Sequence, residues 1–238
     1  PVANMESLPT PVPEMYKTTH LLLRRVPAGT FTMGSPQSEL GRDTDEAPHE
    51  VELTSSVHMG VFEITQRQWQ LVMGSAVGAF AGPTRPVESV SYEDIRGTVQ
   101  GAEWPNTQDV DADSFLGKLR ARTGLANLDL PTEAQWEYAC RAGTQTALNS
   151  GVDLTDERED PGLAELGRYW YNGGSLYDTD PENGAHAAVG SYDLNAWSLY
   201  DMHGNVAEWC LDWYASYPGS PVTDPTGPET GTSRVLRG

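Results

Sequence analysis

The hydrophobic pattern changes character twice along the chain. Leu21-Leu22-Leu23-Arg24-Arg25-Val26 and Phe31-Thr32-Met33-Gly34 flank Pro27-Ala28-Gly29-Thr30, which predicts a strand, a tight turn and a strand. His49-Glu50-Val51-Glu52-Leu53 alternates polar and apolar, as an edge strand does. Beyond residue 65 the period lengthens. Trp69, Val72 and Met73, and later Trp136, Ala139 and Cys140, recur at helical spacing. Three helix starts share one signature, a hydroxyl residue three positions before an amide or carboxylate: Thr65 with Gln68, Ser91 with Asp94, Thr132 with Gln135. In a capping box the two side chains satisfy backbone N–H groups that the first helical turn leaves unpaired. Another helix is expected from Ser114 to Gly124, after an acidic loop at 109–113. From Ala147 onward the helical period is lost. Residues 149–167 read as polar loop, and 169–208 as a coil rich in Gly, Asn, Asp and aromatics. Ordering so long a coil needs aromatic packing or a metal. Trp209, Leu211 and Trp213 alternate along a strand, and Arg234-Val235-Leu236-Arg237 begins a last one. Pro1, Pro9, Pro11 and Pro13 make residues 1–20 read as a flexible arm. The domain then spans 21–238 and reads as incomplete at its C-terminus, because it stops in mid-strand.

Composition narrows the function classes. The 238 residues carry 15 Lys+Arg against 34 Asp+Glu, a formal net charge of −19. Nucleic acid and anionic membrane need a basic face, so neither is an expected partner, whereas a cation such as calcium is. There is no 18-residue apolar run and hence no expected membrane span. The hydrophobic fraction, 38%, is lean, but 7 Trp, 10 Tyr, 24 Gly and 17 Pro indicate an aromatic core under many loops. Two cysteines, Cys140 and Cys210, rule out a four-cysteine zinc cluster and a disulfide scaffold. One bridge and two separate buried thiols both fit the count. Alternation puts Cys210 opposite Trp209 and Leu211 on its strand, and no bridge is expected.

Five segments in order resemble one known family. They are Val26-Pro27-Ala28-Gly29-Thr30-Phe31-Thr32-Met33-Gly34, Glu63-Ile64-Thr65-Gln66-Arg67-Gln68-Trp69, Pro86-Val87-Glu88-Ser89-Val90-Ser91, Leu130-Pro131-Thr132-Glu133-Ala134-Gln135-Trp136-Glu137-Tyr138-Ala139 and Leu199-Tyr200-Asp201-Met202-His203-Gly204-Asn205-Val206-Ala207-Glu208-Trp209. Together they look like the formylglycine-generating enzyme, or sulfatase-modifying factor, domain. The resemblance implies an α+β, irregular, loop-rich C-type lectin-like fold with a small antiparallel sheet and a few short helices. It also implies an oxygen-dependent oxidase whose redox-active cysteine pair holds copper(I). That pair follows the motif that begins here as Arg234–Gly238, and neither Cys140 nor Cys210 matches it. Cys140 matches a structural cysteine that, in some members, bridges to one near the extreme C-terminus. A related branch comprises the variable proteins of diversity-generating retroelements, where the domain is a binding scaffold.

Asp201 and Glu208 flank a glycine-containing bend toward which the carbonyls of Gly204 and Val206 can turn. Calcium takes such a mixture of carboxylate and backbone oxygens, and the family places a calcium on the matching positions. The competing reading is that Glu208 accepts loop N–H groups with no metal. A second family calcium would use Asn172 with Asp178 or Asp180. His203 is expected as a hydrogen-bonded loop histidine, since imidazole suits transition metals better. The expected function is a non-catalytic scaffold that binds a protein, peptide or carbohydrate ligand through its C-terminal surface. The alternative is the sulfatase-modifying oxidase with copper and a cysteine pair beyond Gly238. No signal peptide is visible, and an extracytoplasmic or cell-surface location stays open.

Overall fold

A computed structural model describes residues 2–4, 9, 11–173 and 186–238. Strand β1 (Val2–Asn4) pairs parallel with β2 (Leu21–Val26), and β2 pairs antiparallel with β5 (Val57–Gly60). The strands on either side of the Pro27 turn do not pair with each other. β3 (Gly29–Met33) pairs with β4 (His49–Leu53) in a second sheet. β4 is central there rather than an edge, because β7 (Val222–Thr223) joins its other side in parallel. Its alternation nonetheless holds: His49, Val51 and Leu53 are buried while Glu50 and Glu52 are exposed. A two-stranded unit, β6 (Glu208–Trp213) with β8 (Arg234–Arg237), completes the described ladders.

Two helices, α2 (Gln66–Met73) and α5 (Glu133–Arg141), and the one-turn α3 (Tyr92–Arg96) each begin with a full capping box on Thr65, Ser91 and Thr132. α4 (Phe115–Thr123) is capped by Ser114 and ends at Gly124 in the left-handed conformation. The core lies between the β3–β4 sheet, α5 and the β6–β8 pair, where Val26, Met33, Val51, Trp136, Cys140 and Cys210 pack together. A second cluster joins α2 to α4 through the stacked rings of Trp69 and Phe115, with centroids 4.6 Å apart.

Three further expectations need correction. Between residues 147 and 173 two short helices form, α6 (Pro161–Leu166) and α7 (Trp170–Gly173). α6 is too short to show a period. Its signal is chemical: Asp160 caps the Leu163 N–H and Pro161 sits in the first turn. In β6 strict alternation fails. A register shift falls between Trp209 and Trp213, and Cys210, Leu211 and Asp212 are buried in succession, so burial does not alternate along the strand. The segment expected as an arm carries the one-turn helix α1 (Met15–Thr18). Val12 and Tyr16 pack against Leu22, Val61, Phe62 and Val189. Thr65 Oγ1 donates to Lys17 O at 2.8 Å, and Gln68 Nε2 donates to His20 O at 2.8 Å.

Candidate metal centre

The segment from Leu199 to Glu208 runs from the core into β6 through a chain of left-handed residues. Asp201 has φ 56°, Gly204 φ 73° and Asn205 φ 64°. Asp and Asn tolerate this region better than other non-glycine residues. Gly204 has a second requirement: a Cβ there would lie 2.1 Å from Arg168 O. The fold therefore forces the tight bend that the sequence suggested, and holds it by Asn205 N–H donating to Arg168 O at 2.6 Å.

Three carboxylates gather at this bend. Asp201 is 1% exposed; its Oδ2 accepts the Gly190 N–H at 2.6 Å, while its Oδ1 is buried without a partner. Burial pushes its carboxyl up to about 6, against the Gly190 hydrogen bond and the nearby Lys17 ammonium. Glu208 is pushed up to about 7 by burial, with the Asp201 charge adding to it. The Trp136 indole works the other way, although its Nε1 has no partner of hydrogen-bonding geometry. The third is Glu63, between β5 and α2. As a residue it is partly exposed, but its Oε1 is shielded and unpartnered. Its Oε2 accepts from Asn205 Nδ2 at 2.7 Å. Burial and the charges of Asp201 and Glu208 hold its carboxyl well above the usual range. Glu63 and Glu208 open onto a cleft of about 980 Å³, walled in part by Leu23, Ile64 and Met202.

No group of three or more His, Cys, Asp or Glu side chains converges as a metal cage among the described residues. A cation at this bend would need backbone oxygens as well, which is the mixed donor set expected of Asp201, Gly204, Val206 and Glu208. Shielded, unsatisfied carboxylate oxygens are costly unless protonated or paired with a cation. The two orphaned oxygens, Asp201 Oδ1 and Glu63 Oε1, therefore call for a proton or a cation. Sequence reasoning missed Glu63 as a site residue. Its signal is a single carboxylate inside the otherwise apolar run Val61-Phe62-Glu63-Ile64.

The other expected positions fall elsewhere. Asn172, in α7, accepts the Tyr169 N–H on Oδ1 at 2.7 Å and donates from Nδ2 to Gly167 O at 2.8 Å. Asp178 and Asp180 lie outside the described residues. His203 accepts the Asn149 N–H on Nε2 at 3.1 Å, and burial lowers its pKa to about 4, so it is a neutral loop histidine. Cys140 and Cys210 are both buried and free. Burial pushes the Cys140 thiol up to about 12 and holds Cys210 well above the usual thiol range. Neither is a poised thiolate, and this pair of thiols does not fit copper(I) ligation. No helix among the described residues is long and apolar enough to cross a membrane.

The model of the sulfatase-modifying factor enzyme 1-like domain matches residues 10–238. The formylglycine-generating enzyme of Streptomyces coelicolor is 30% identical, over 90% of this chain and 76% of that protein. The chaperone protein LppX of Paenibacillus barcinonensis is 31% identical over 70% of this chain, a match that spans 65% of its own length. Among solved structures, PvdO from Pseudomonas aeruginosa superposes with a TM-score of 0.64 at 24% identity, over 91% of this chain and 80% of that one. Treponema denticola variable protein 1 superposes with a TM-score of 0.62 at 24% identity, over 91% and 82%. Both likenesses show a shared irregular α+β fold.

Proposed function

Because the chain belongs to the sulfatase-modifying factor enzyme 1-like family, we propose that it is a ligand-binding scaffold, ordered by calcium and presenting the loops between β6 and β8. The observation that carries this reading is the state of its thiols. Cys140 and Cys210 are buried, unpaired and raised in pKa, so this chain's own cysteines are unsuited to redox work. Calcium would be held by the Asp201 and Glu208 carboxylates and the Gly204 and Val206 carbonyls, with Glu63 as a further acidic neighbour. Bound there, it supplies the positive charge that the buried carboxylates lack. Asp201 then orders the loop at Gly190, and Glu63 ties the bend, through Asn205, to the start of α2. The fold shared with a variable protein supports a display role.

The second reading is the copper-dependent oxidase that forms formylglycine. The likeness to the Streptomyces enzyme over nine-tenths of the chain favours it. One experiment separates the two. The protein as its gene encodes it is incubated with copper(I), oxygen and a Cys-x-Pro-x-Arg peptide, and the peptide mass is followed. The scaffold reading expects no change; conversion of the cysteine to formylglycine establishes the oxidase.

A further inference from the structure

A cavity of about 540 Å³ lies beneath the loop that joins β6 to β8, at the far end of β6 from Glu208. Its lining includes His49 of β4, Glu133 at the first turn of α5, Asp212 of β6, and Tyr217, Asp224 and Thr226 of the loop. Asp212 is 4% exposed, and its Oδ2 accepts the Glu133 N–H at 2.8 Å. Glu133 Oε1 accepts the Tyr217 hydroxyl at 2.8 Å and lies 3.5 Å from Arg237 Nη1. The second oxygen of each, Asp212 Oδ1 and Glu133 Oε2, has no protein donor among the described residues. Neither is sealed off like the shielded orphans Asp201 Oδ1 and Glu63 Oε1. His49 Nδ1 lies 3.0 Å from Ala47 O, a carbonyl that can only accept, so Nδ1 carries a proton. Three carboxylates, Glu133, Asp212 and Asp224, line the wall.

Among the described residues Asp212 forms no ion pair. Arg234, whose charge acts on it, donates to the carbonyls of Leu211 at 2.6 Å and Ala102 at 2.8 Å, and its guanidinium stacks 3.4 Å from the Trp213 ring centroid. Arg237 is engaged by Glu137 and Glu133. A carboxylate this buried without a cation is costly, and burial accordingly pushes Asp212 up to about 7. Its neighbour Glu133 is raised for the same reason.

We propose that this cavity binds a small organic cation bearing several N–H groups, a primary ammonium or a guanidinium, gripped by Asp212 and Glu133. The proposal rests on the reading of the β6–β8 loops as a binding surface and names the ligand chemistry that surface takes. Charge-assisted hydrogen bonds to two carboxylates give such a group its orientation, and the net charge of −19 draws cations toward the protein.

The test is calorimetric titration of the full chain with n-butylammonium, methylguanidinium and tetramethylammonium. The first two carry N–H donors; the third has the charge alone. Saturable binding of a donor-bearing probe, and none of tetramethylammonium, is expected. Asp212→Asn keeps an oxygen for the Glu133 N–H and should weaken binding at least tenfold; Glu133→Gln keeps the Tyr217 acceptor and should weaken it several-fold. An acetylated Gly-Lys-Gly amide, compared with butylammonium, tells a peptide side chain from a free amine, and Asp212-dependent binding of either supports the site. Equal binding of all three cations, binding indifferent to both substitutions, or no saturable binding overturns it. Melting curves accompany each variant; should Asp212→Asn fail to fold, Glu133→Gln alone decides. Formylglycine formation would sink the scaffold reading without touching this result, and failed amine binding would leave the calcium bend intact.

Discussion

Two groups of carboxylates in the interior are handled in opposite ways. In the middle of α5, Glu137 is 3% exposed but fully partnered. Its Oε1 accepts the Gly34 N–H at 2.8 Å and the Arg141 guanidinium at 2.9 Å, and its Oε2 accepts Arg237 at 2.6 Å. At the bend, Asp201 Oδ1 and Glu63 Oε1 are shielded and unpartnered, and Lys17 is the ammonium whose charge acts on Asp201 among the described residues. That ammonium donates to Val189 O at 2.7 Å rather than forming an ion pair with a carboxylate. Burial alone does not mark a site. What marks it is burial that the protein's own cations leave uncompensated, because such a group must be protonated or take a cation from outside.

The comparison breaks most visibly if its partnered half is cut. Arg237→Ala strands the buried Glu137 charge. The cost is on the order of 3–5 kcal/mol, or roughly 6–20 °C in melting temperature for a chain of this size. The retained Arg141 contact should hold it near the lower end. Calcium should not restore the loss, and melting curves with calcium and with a chelator check both points.

The unpartnered half should respond to calcium instead. At a hundred times the dissociation constant, a ligand that binds only the folded state contributes about 2.7 kcal/mol, which is roughly 5–10 °C here. Glu208→Ala should abolish that shift, Asp201→Ala should weaken it, and His203→Ala should keep it. Glu63→Gln sharpens the contrast, because it should raise the melting temperature in chelator while shrinking the calcium response. A wild-type melting temperature that is the same in calcium and chelator would show that protonation alone keeps these groups buried.

Proton linkage gives a smaller effect of defined sign. Asp201, Glu208 and Asp212 have folded-state values of about 6, 7 and 7, above those of the unfolded chain. The folded state therefore binds more protons, and stability falls as pH rises through these values. His203, lowered to about 4, acts oppositely below its ordinary value, so pH 6.5 to 8 is the clean window. In chelator the melting temperature should drop by a few degrees across it. Calcium should remove the share due to Asp201 and Glu208, whose ionised carboxylates it binds, and leave the share due to Asp212.

The smallest expected effect is at the thiols. Native protein at pH 8 should leave Cys140 and Cys210 unmodified by iodoacetamide, with both reacting after denaturation, as read by mass spectrometry. Rapid labelling of either in the native state would remove the argument that these cysteines are structural.

Some of this was legible along the chain. The capping boxes on Thr65, Ser91 and Thr132 were, because capping is an interaction over three residues and needs no partner from elsewhere. So were the strand at Trp209 and the acidic, glycine-containing bend from Asp201 to Glu208. Strand partners were not. The Pro27 turn looks like a hairpin locally, but β2 and β3 bury different faces and join different sheets. The bulge in β6 was equally invisible, since alternation describes an unbroken ladder. The site divides in the same way. Sequence alone determined that Asp201 and Glu208 share a bend. Only the tertiary structure brought in Glu63, joined to Asn205 across 142 residues, and gave Glu137 its arginines. A residue's type is local, but whether its charge is shielded and what stands opposite it depend on long-range packing.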